Sequence, residues 1–329
     1  MSDSTPFLSV VVPVYRGART VGPLVEKLNA LHVPGGHEIV LVNDGSPDDA
    51  AAVCRALVAA QPPGVPLTFV DLARNFGEHA AVMAGYRHAR GAYVVNIDDD
   101  FQNPPEEILA VLRHAVEGGH DVVYTRYAEK HHAGWRNLGS RLNGWLADRL
   151  LDKPRGLYLS SFRCVNRLVV DHITRYDGAF PYIDGLIFQV TQNAGTVEVR
   201  HADRAEGTSG YTLRRLVGLA LNMMVNFSVM PLRLATVLGF VIAGLGFFGA
   251  LWVVVEYFLV QQPKGWTMTM VAMALFSGTQ LIILGIAGEY LGRLHLNANR
   301  RPQFVVRAVR RSGAPPAAPT RVGPGADAG

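Results

Sequence analysis

Two long stretches without a single charge limit this fold more than any other feature of the chain. Residues 234–255, "LATVLGFVIAGLGFFGALWVVV", and 265–288, "GWTMTMVAMALFSGTQLIILGIAG", contain no Asp, Glu, Lys or Arg. Each can cross a bilayer's hydrocarbon core, for which roughly 20 apolar residues suffice. One such stretch alone would also suit a buried core helix. Two of them, separated only by a short connection through Lys264, predict a transmembrane hairpin. Arg214, Arg215 and Arg233 precede the first stretch, and Arg293, Arg300, Arg301, Arg307, Arg310 and Arg311 follow the second. The positive-inside rule then places the N-terminal body and the C-terminus together in the cytoplasm, which for a bacterial chain means an inner-membrane protein of two passes.

The membrane-flanking arginines account for the net charge of +4, and no basic stripe with interleaved aromatics marks the first 120 residues as a nucleic-acid binder. No signal peptide is expected in "MSDSTPFLSVVVPVY", which lacks a basic n-region and a cleavage site. Cys54 and Cys164 are far apart and read as reduced, packed thiols rather than a disulfide or zinc pair. His131 and His132 have no partner cluster at zinc-like spacing and read as solvated loop residues.

Before the apolar stretches, strand-like and helix-like patterns alternate. "FLSVVVPVY", "HEIVLVN", "LTFVDL", "AYVVN" and "HDVVYTRY" read as strands, "GARTVGPLVEKLNALH", "AAAVCRALVAAQ", "EHAAVMAGYRHAR" and "PEEILAVLRHAVEGG" as the helices between them, and "GLYLSSFRCVNRLVVDHI" as mixed strand and turn. This pattern predicts an α/β, Rossmann-like domain with a mainly parallel sheet covered on both faces. Ligands of such sheets bind beyond the carboxyl ends of the strands. Polar clusters occur at those ends: Asp44 in "NDGS", Arg74 in "LARNFG", and Asp98, Asp99 and Asp100 after "YVVNI". The expected division is a catalytic domain over 1–210, an amphipathic surface helix over 211–233, two transmembrane helices within 234–292, a cytoplasmic basic segment over 293–311 and a disordered Pro/Gly/Ala-rich tail over 312–329.

Three adjacent carboxylates repel one another, so a cation is their natural partner. By itself "DDD" fits a solvated loop or a helix N-cap as well as a metal site. Its place at a strand end of an α/β pattern favours metal: Asp98 and Asp100 share one side, Gln102 extends the alternation, and Asp99 points away. Hard oxygen donors of this kind suit Mg²⁺ or Mn²⁺, with phosphates and water completing the shell.

The ordered set "VVVPVY", "VNDGSPDD", "LARNFGEHAAVMAGYRHARGAYVVNIDDDFQNPPEEI", "RAEGTSGY" and the closing apolar pair with "GEYLGR" resembles family 2 glycosyltransferases. It is most similar to their polyprenyl-phosphate branch, which includes dolichol-phosphate mannose synthases, bactoprenol glucosyltransferases and undecaprenyl-phosphate aminoarabinose transferases. The resemblance implies a GT-A fold and inverting transfer of a sugar from a nucleotide-sugar, a UDP-sugar preferred and GDP-mannose possible, to a polyprenyl phosphate such as undecaprenyl phosphate at the membrane. It also implies roles residue by residue. Pro13 and Tyr15 would line the nucleotide pocket, Asp44 would hydrogen-bond the base, and Asp98 would lie near ribose and metal. Asp100 and Gln102 would hold the metal. Arg126, Arg136, Ser140, Arg204 and Ser209 would bind the acceptor phosphate, Arg204 bridging it to the donor. Guanidinium forks suit phosphate oxygens. The helical pair would favour a homo-oligomer.

The chain departs from the family in three places. Ser160 and Ser161 stand where relatives carry an acidic residue proposed as a base, so no base is assigned. The family's "PVYNE" reads "PVYRG" here, so a glutamate contact to the nucleotide is missing and Arg16 would stand in for it, and Gly210 replaces a common lysine. Two other readings compete: a same-fold transferase with a different lipid acceptor, such as diacylglycerol, and a non-catalytic nucleotide-sugar-binding membrane scaffold.

Overall fold

In the computed structural model, residues 5–127, 154, 157–179, 181–200, 230–260, 265–299 and 302–313 are described. The chain divides into a sheet domain, which includes residues up to 210 and again from 302, and a helical unit over 211–301.

Eight strands form one sheet in the order β7-β5-β6-β4-β1-β2-β3-β8. Its centre is parallel: β1 (Leu8–Val14) lies between β2 (His37–Asn43) and β4 (Tyr93–Asn96), and β3 (Leu67–Leu72) pairs with β2. These central runs are nearly continuous in Val, Ile and Leu because both of their faces are covered. Leu8, Val10, Val12 and Val14 pack on one face with α1 (Val21–Asn29), α2 (Ala50–Ala60) and α4 (Ile108–Glu117). The alternate residue Val11 meets α3 (Glu78–His88) on the other face, where a Cβ added at Gly85 would lie 2.3 Å from Val11 Cγ1. Helix and sheet therefore approach closely only because Gly85 has no side chain.

Beyond β4 the sheet turns antiparallel. β6 (Arg163–Asn166) runs against both β4 and β5 (Val122–Tyr127), and β7 (Ala194–Val199) extends β5 in parallel. Sequence reading foresaw β1 to β5 and α1 to α4. It reads 156–173 only as mixed strand and turn and does not separate α5 (Arg167–Ile173), which Asn166 caps by accepting a 3.0 Å hydrogen bond from the Val169 N–H. α6 (Ile183–Val190) was likewise not foreseen.

The far edge holds a correction. Residues 293–311 are not simply a basic segment, because β8 (Val306–Arg311) pairs antiparallel with β3. Ser312, assigned from sequence to a disordered tail, donates its N–H to the Leu67 carbonyl at 2.8 Å.

In the helical unit, α7 (Met230–Val260) and α8 (Trp266–Ala298) pair with each other. Cβ atoms added at Gly239 and Gly246 would lie 3.4 Å from Ile283 and 2.3 Å from Phe276, so the contact runs antiparallel with small residues against large ones. Leu275–Gly292 has the length and mean hydropathy, 1.2, of a membrane-crossing segment; the corresponding apolar stretch of α7 is the shorter Ala235–Gly249. The expected amphipathic helix over 211–233 lies outside the described residues except for its last turn, which opens α7.

Candidate active site

Loops from β1, β2, β3 and β4 meet where those strands end. Pro13 explains how one of these ends is opened. Val11 accepts the N–H of Ile97 on the β4 side, so Pro13, two residues on, turns its nitrogen to that same side. Pairing with β4 has ended there at Val11 and Asn96, and the missing N–H leaves no gap in the ladder. On the other side β1 continues with β2 as far as Val14 and Asn43. Tyr15 follows, 45% exposed, with the Arg16 guanidinium 5.5 Å from its ring centroid.

The β1–α1 loop is tied to the β2–α2 loop. The Arg16 N–H donates to Ser46 Oγ at 2.7 Å and the Ala18 N–H to Asp48 Oδ2 at 3.0 Å. Ser46 Oγ in turn donates to Asp48 Oδ1, and these hydrogen bonds hold the Asp48 carboxyl below its ordinary value despite some burial. Asp44 is buried and accepts from the Phe76 and Gly77 N–H groups at 2.7 and 2.9 Å. Its burial raises the pKa and those two N–H groups counter it. The residue expected to contact a nucleotide base therefore also pins the β3–α3 loop. Gly45 makes that approach possible: with φ at +56°, an added Cβ would lie 2.3 Å from the Arg74 carbonyl carbon. Arg74 stacks on Phe76 at 4.4 Å.

The aspartate trio does not continue β4, which ends at Asn96. It occupies a turn in which Phe101 takes a φ of 60° and the Gln102 N–H donates to Asp100 Oδ1 at 3.1 Å. The uninterrupted strand alternation used to align Asp98, Asp100 and Gln102 is thus replaced by turn geometry. Asp99 lies against the β1–α1 loop: it accepts from the Tyr15 N–H, and a Cβ at Gly17 would be 1.9 Å from its Oδ2. That oxygen is buried without a hydrogen-bond partner among the described residues. Burial first, then the Asp98 and Asp100 charges, push Asp99 up to about 7. Asp98 accepts from Ser161 Oγ at 2.6 Å.

Ser161 leads to groups that the sequence did not single out. Asn96, Arg163 and Tyr124 form a row across β4, β6 and β5. Asn96 Nδ2 donates to the Ser161 carbonyl, and its Oδ1 accepts from Tyr86 at 2.8 Å and from Arg163 Nε at 3.2 Å. Arg163 is ion-paired with Asp184, which also accepts from the Tyr124 hydroxyl at 2.9 Å. His79 faces Tyr182 edge-on at 5.1 Å, and burial lowers it to about 4. Ser160 is buried and engaged with Thr125 and the Phe162 carbonyl, so it is a structural hydroxyl. Pattern alone could not find this row, because the antiparallel register of β6 creates it.

Arg126 lies exposed near the end of β5, in register with Glu198 on β7. Arg136, Ser140, Arg204 and Ser209 lie outside the described residues. Cys54 and Cys164 are buried free thiols, Cys54 pushed up to about 12 by burial. Among the described residues no cluster of three His, Cys, Asp or Glu side chains is arranged to hold a metal. The donors that do fit Mg²⁺ or Mn²⁺ by chemistry are the carboxylates of Asp98 and Asp100 and the amide oxygen of Gln102, on a turn where the Asp98 and Asp100 charges already act on Asp99.

Residues 9–173 match the family described as Glycosyl transferase family 2, and the chain belongs to that family. It is 34% identical over 307 residues to the undecaprenyl-phosphate 4-deoxy-4-formamido-L-arabinose transferase of Sodalis glossinidius, covering 92% of this chain and 93% of that protein. It is also 34% identical over 323 residues to the Pseudomonas aeruginosa protein of the same name, covering 96% and 94%. Among solved structures, glucosyl-3-phosphoglycerate synthase from Mycobacterium tuberculosis with Mn²⁺ and UDP-glucose is 17% identical, covers 67% of this chain and 77% of that one, and superposes with a TM-score of 0.48, a likeness too loose to bear on the site. The family and enzyme class expected from the sequence are borne out: this is a glycosyltransferase.

Proposed function

We propose that the protein transfers a sugar from a nucleotide-sugar to a polyprenyl phosphate, undecaprenyl phosphate being the preferred acceptor, at the cytoplasmic face of a membrane. The observation that carries the donor half is the convergence of the β1, β2 and β3 loops on the acidic turn at 98–102. The full-length kinship with undecaprenyl-phosphate transferases supports the acceptor half.

In this reading Pro13, Tyr15 and Asp44 hold the nucleotide, while Asp98, Asp100 and Gln102 hold Mg²⁺ or Mn²⁺ in a GT-A arrangement. The bound cation would stabilise negative charge developing on the departing nucleotide diphosphate. Ser161 orients Asp98 through its 2.6 Å hydrogen bond. A phosphate acceptor is already ionised at neutral pH, so positioning and charge stabilisation suffice without a general base. That accords with hydroxyls at 160 and 161, one buried and one on Asp98. Arg126 is assigned to the acceptor phosphate, together with Arg136, Ser140, Arg204 and Ser209.

The helical pair serves as the membrane anchor. Phe240, Phe247, Trp252, Leu281 and Leu291 are each more than 60% exposed, an apolar surface suited to lipid rather than water. Chain on both sides of the pair joins one sheet, through β7 and β8, so an anchor built from this pair crosses the bilayer an even number of times.

The test is purified protein with undecaprenyl phosphate and a panel of UDP- and GDP-sugars, with Mg²⁺, Mn²⁺ or chelator. Formation of a lipid-phosphate sugar from one donor, abolished by chelator, is expected. Donor binding without product from this acceptor would overturn the acceptor assignment.

A further inference from the structure

The strand that follows the second long helix is fastened to the sheet at both ends. At one end the Leu67 N–H donates to Ser312 Oγ at 2.9 Å and the Ser312 N–H returns to the Leu67 carbonyl at 2.8 Å. Leu67 opens β3, so this end is remote from the strand ends that form the site. At the other end the Ala73 N–H donates to the Val305 carbonyl at 2.8 Å, and Arg307 Nη2 donates to the Ala73 carbonyl at 2.7 Å. Arg307 Nη1 lies 4.0 Å from Asp71 Oδ2.

From Asp71 a chain of hydrogen bonds runs inward. Asp71 Oδ1 accepts from Asn43 Nδ2 at 2.7 Å, Asn43 Oδ1 accepts from the Ser46 N–H at 3.2 Å, and Ser46 Oγ accepts from the Arg16 N–H at 2.7 Å. The Ala73 carbonyl gripped by Arg307 directly precedes Arg74, where the loop that binds Asp44 begins. One guanidinium thus holds the root of the β3–α3 loop at two points and reaches the root of the β2–α2 loop through Asp71 and Asn43. The register shift at Asp71/Leu72 falls between the two β3 residues nearest this grip.

We propose that β8 is a working part of the donor site and that Arg307 is a positioning residue for the nucleotide pocket. Its ion pair with Asp71 is long, at 4.0 Å, and exposed on the arginine side, 63% against 7% at Asp71, so it adds little to stability. What it supplies is geometry: a planar fork fixes the directions in which it holds a carbonyl and faces a carboxylate, which the rotating ammonium of lysine on its flexible stem does not. The inference rests on the reading that residues 13–18 and 44–48 hold the nucleotide, and the experiment separates the two.

Binding of UDP and of GDP, each with Mn²⁺, is measured calorimetrically on the full chain in detergent for wild type, Arg307→Ala, Arg307→Lys, Ser312→Ala and Asp44→Ala, alongside each melting temperature. Affinity is expected to fall about tenfold in Arg307→Ala, the lower end of what loss of a supporting contact costs. Arg307→Lys should recover only part of it. Ser312→Ala, which loosens the same strand at its far end, should keep wild-type affinity. A loss in Asp44→Ala but not in Arg307→Ala overturns the inference and leaves the pocket reading standing. Equal losses in Arg307→Ala and Ser312→Ala reduce β8 to a structural strand and overturn it as well. Wild type that binds neither nucleotide, or an Asp44→Ala protein that binds like wild type, overturns the pocket reading and the inference with it.

Discussion

Asp99 and Asp100 are adjacent, yet they answer to different neighbours. Asp99 packs against Gly17 and the Tyr15 N–H, whereas Asp100 accepts from Gln102 within the acidic turn. Asp100→Asn should therefore lower transfer at least a hundredfold, the upper end of the cost of disturbing a metal's supporting groups, while Asp99→Asn keeps a substantial share of wild-type turnover. Rates of lipid-phosphate-sugar formation for the two variants decide this, and equal losses would refute the division. His79 gives a prediction in pH. Its pKa of about 4 in the folded chain lies below the unfolded value near 6.5. The unfolded chain takes up that proton first, so stability is fully present above pH 6.5 and drains away as pH falls towards 4. Over that interval the wild-type melting temperature should fall more steeply than that of His79→Gln. The aspartates were legible in the sequence because they sit just past an apolar run. Ser161, Asn96 and Arg163 were not, because their meeting depends on strands distant in the chain.

Among the elements, the buried row across β4, β6 and β5 supports the site from beneath. Arg163 and Asp184 are both nearly inaccessible, with side-chain exposures of 2% and 9%. Removing one partner leaves the other charge buried and unpaired, so Arg163→Met should cost about 3–5 kcal/mol. Arg163→Met with Asp184→Leu should recover much of that loss in a denaturation series, since neither charge then remains. Absence of recovery would mean that Tyr124 and Asn96 depend on the pair for more than charge balance. β1 to β5 could be read directly because hydrophobic runs alternated with helical spacing and turn residues. β8 could not: "VRAVRR" has the charge of a segment beside a membrane, and an edge strand covered on one side only shows little apolar pattern.

On the scale of the whole molecule, the helical unit is inserted into the sheet domain rather than appended to it, since the sheet domain includes residues up to 210 and again from 302. Labelling of intact cells with a membrane-impermeant maleimide should reach Lys264→Cys but neither Glu117→Cys nor Arg310→Cys until the cells are opened. Opposite behaviour of Glu117→Cys and Arg310→Cys would be incompatible with the β3–β8 pairing. The same pairing has a consequence for synthesis. The ribosome finishes β1 to β7 first, while the outer edge of β3 still waits for a strand encoded about 235 residues downstream, on the far side of both long helices. The sheet closes only after the helices have emerged, so a chain stalled or cut before residue 306 is left with an open, pairing-competent edge, and maturation of the sheet domain follows completion of the helical unit.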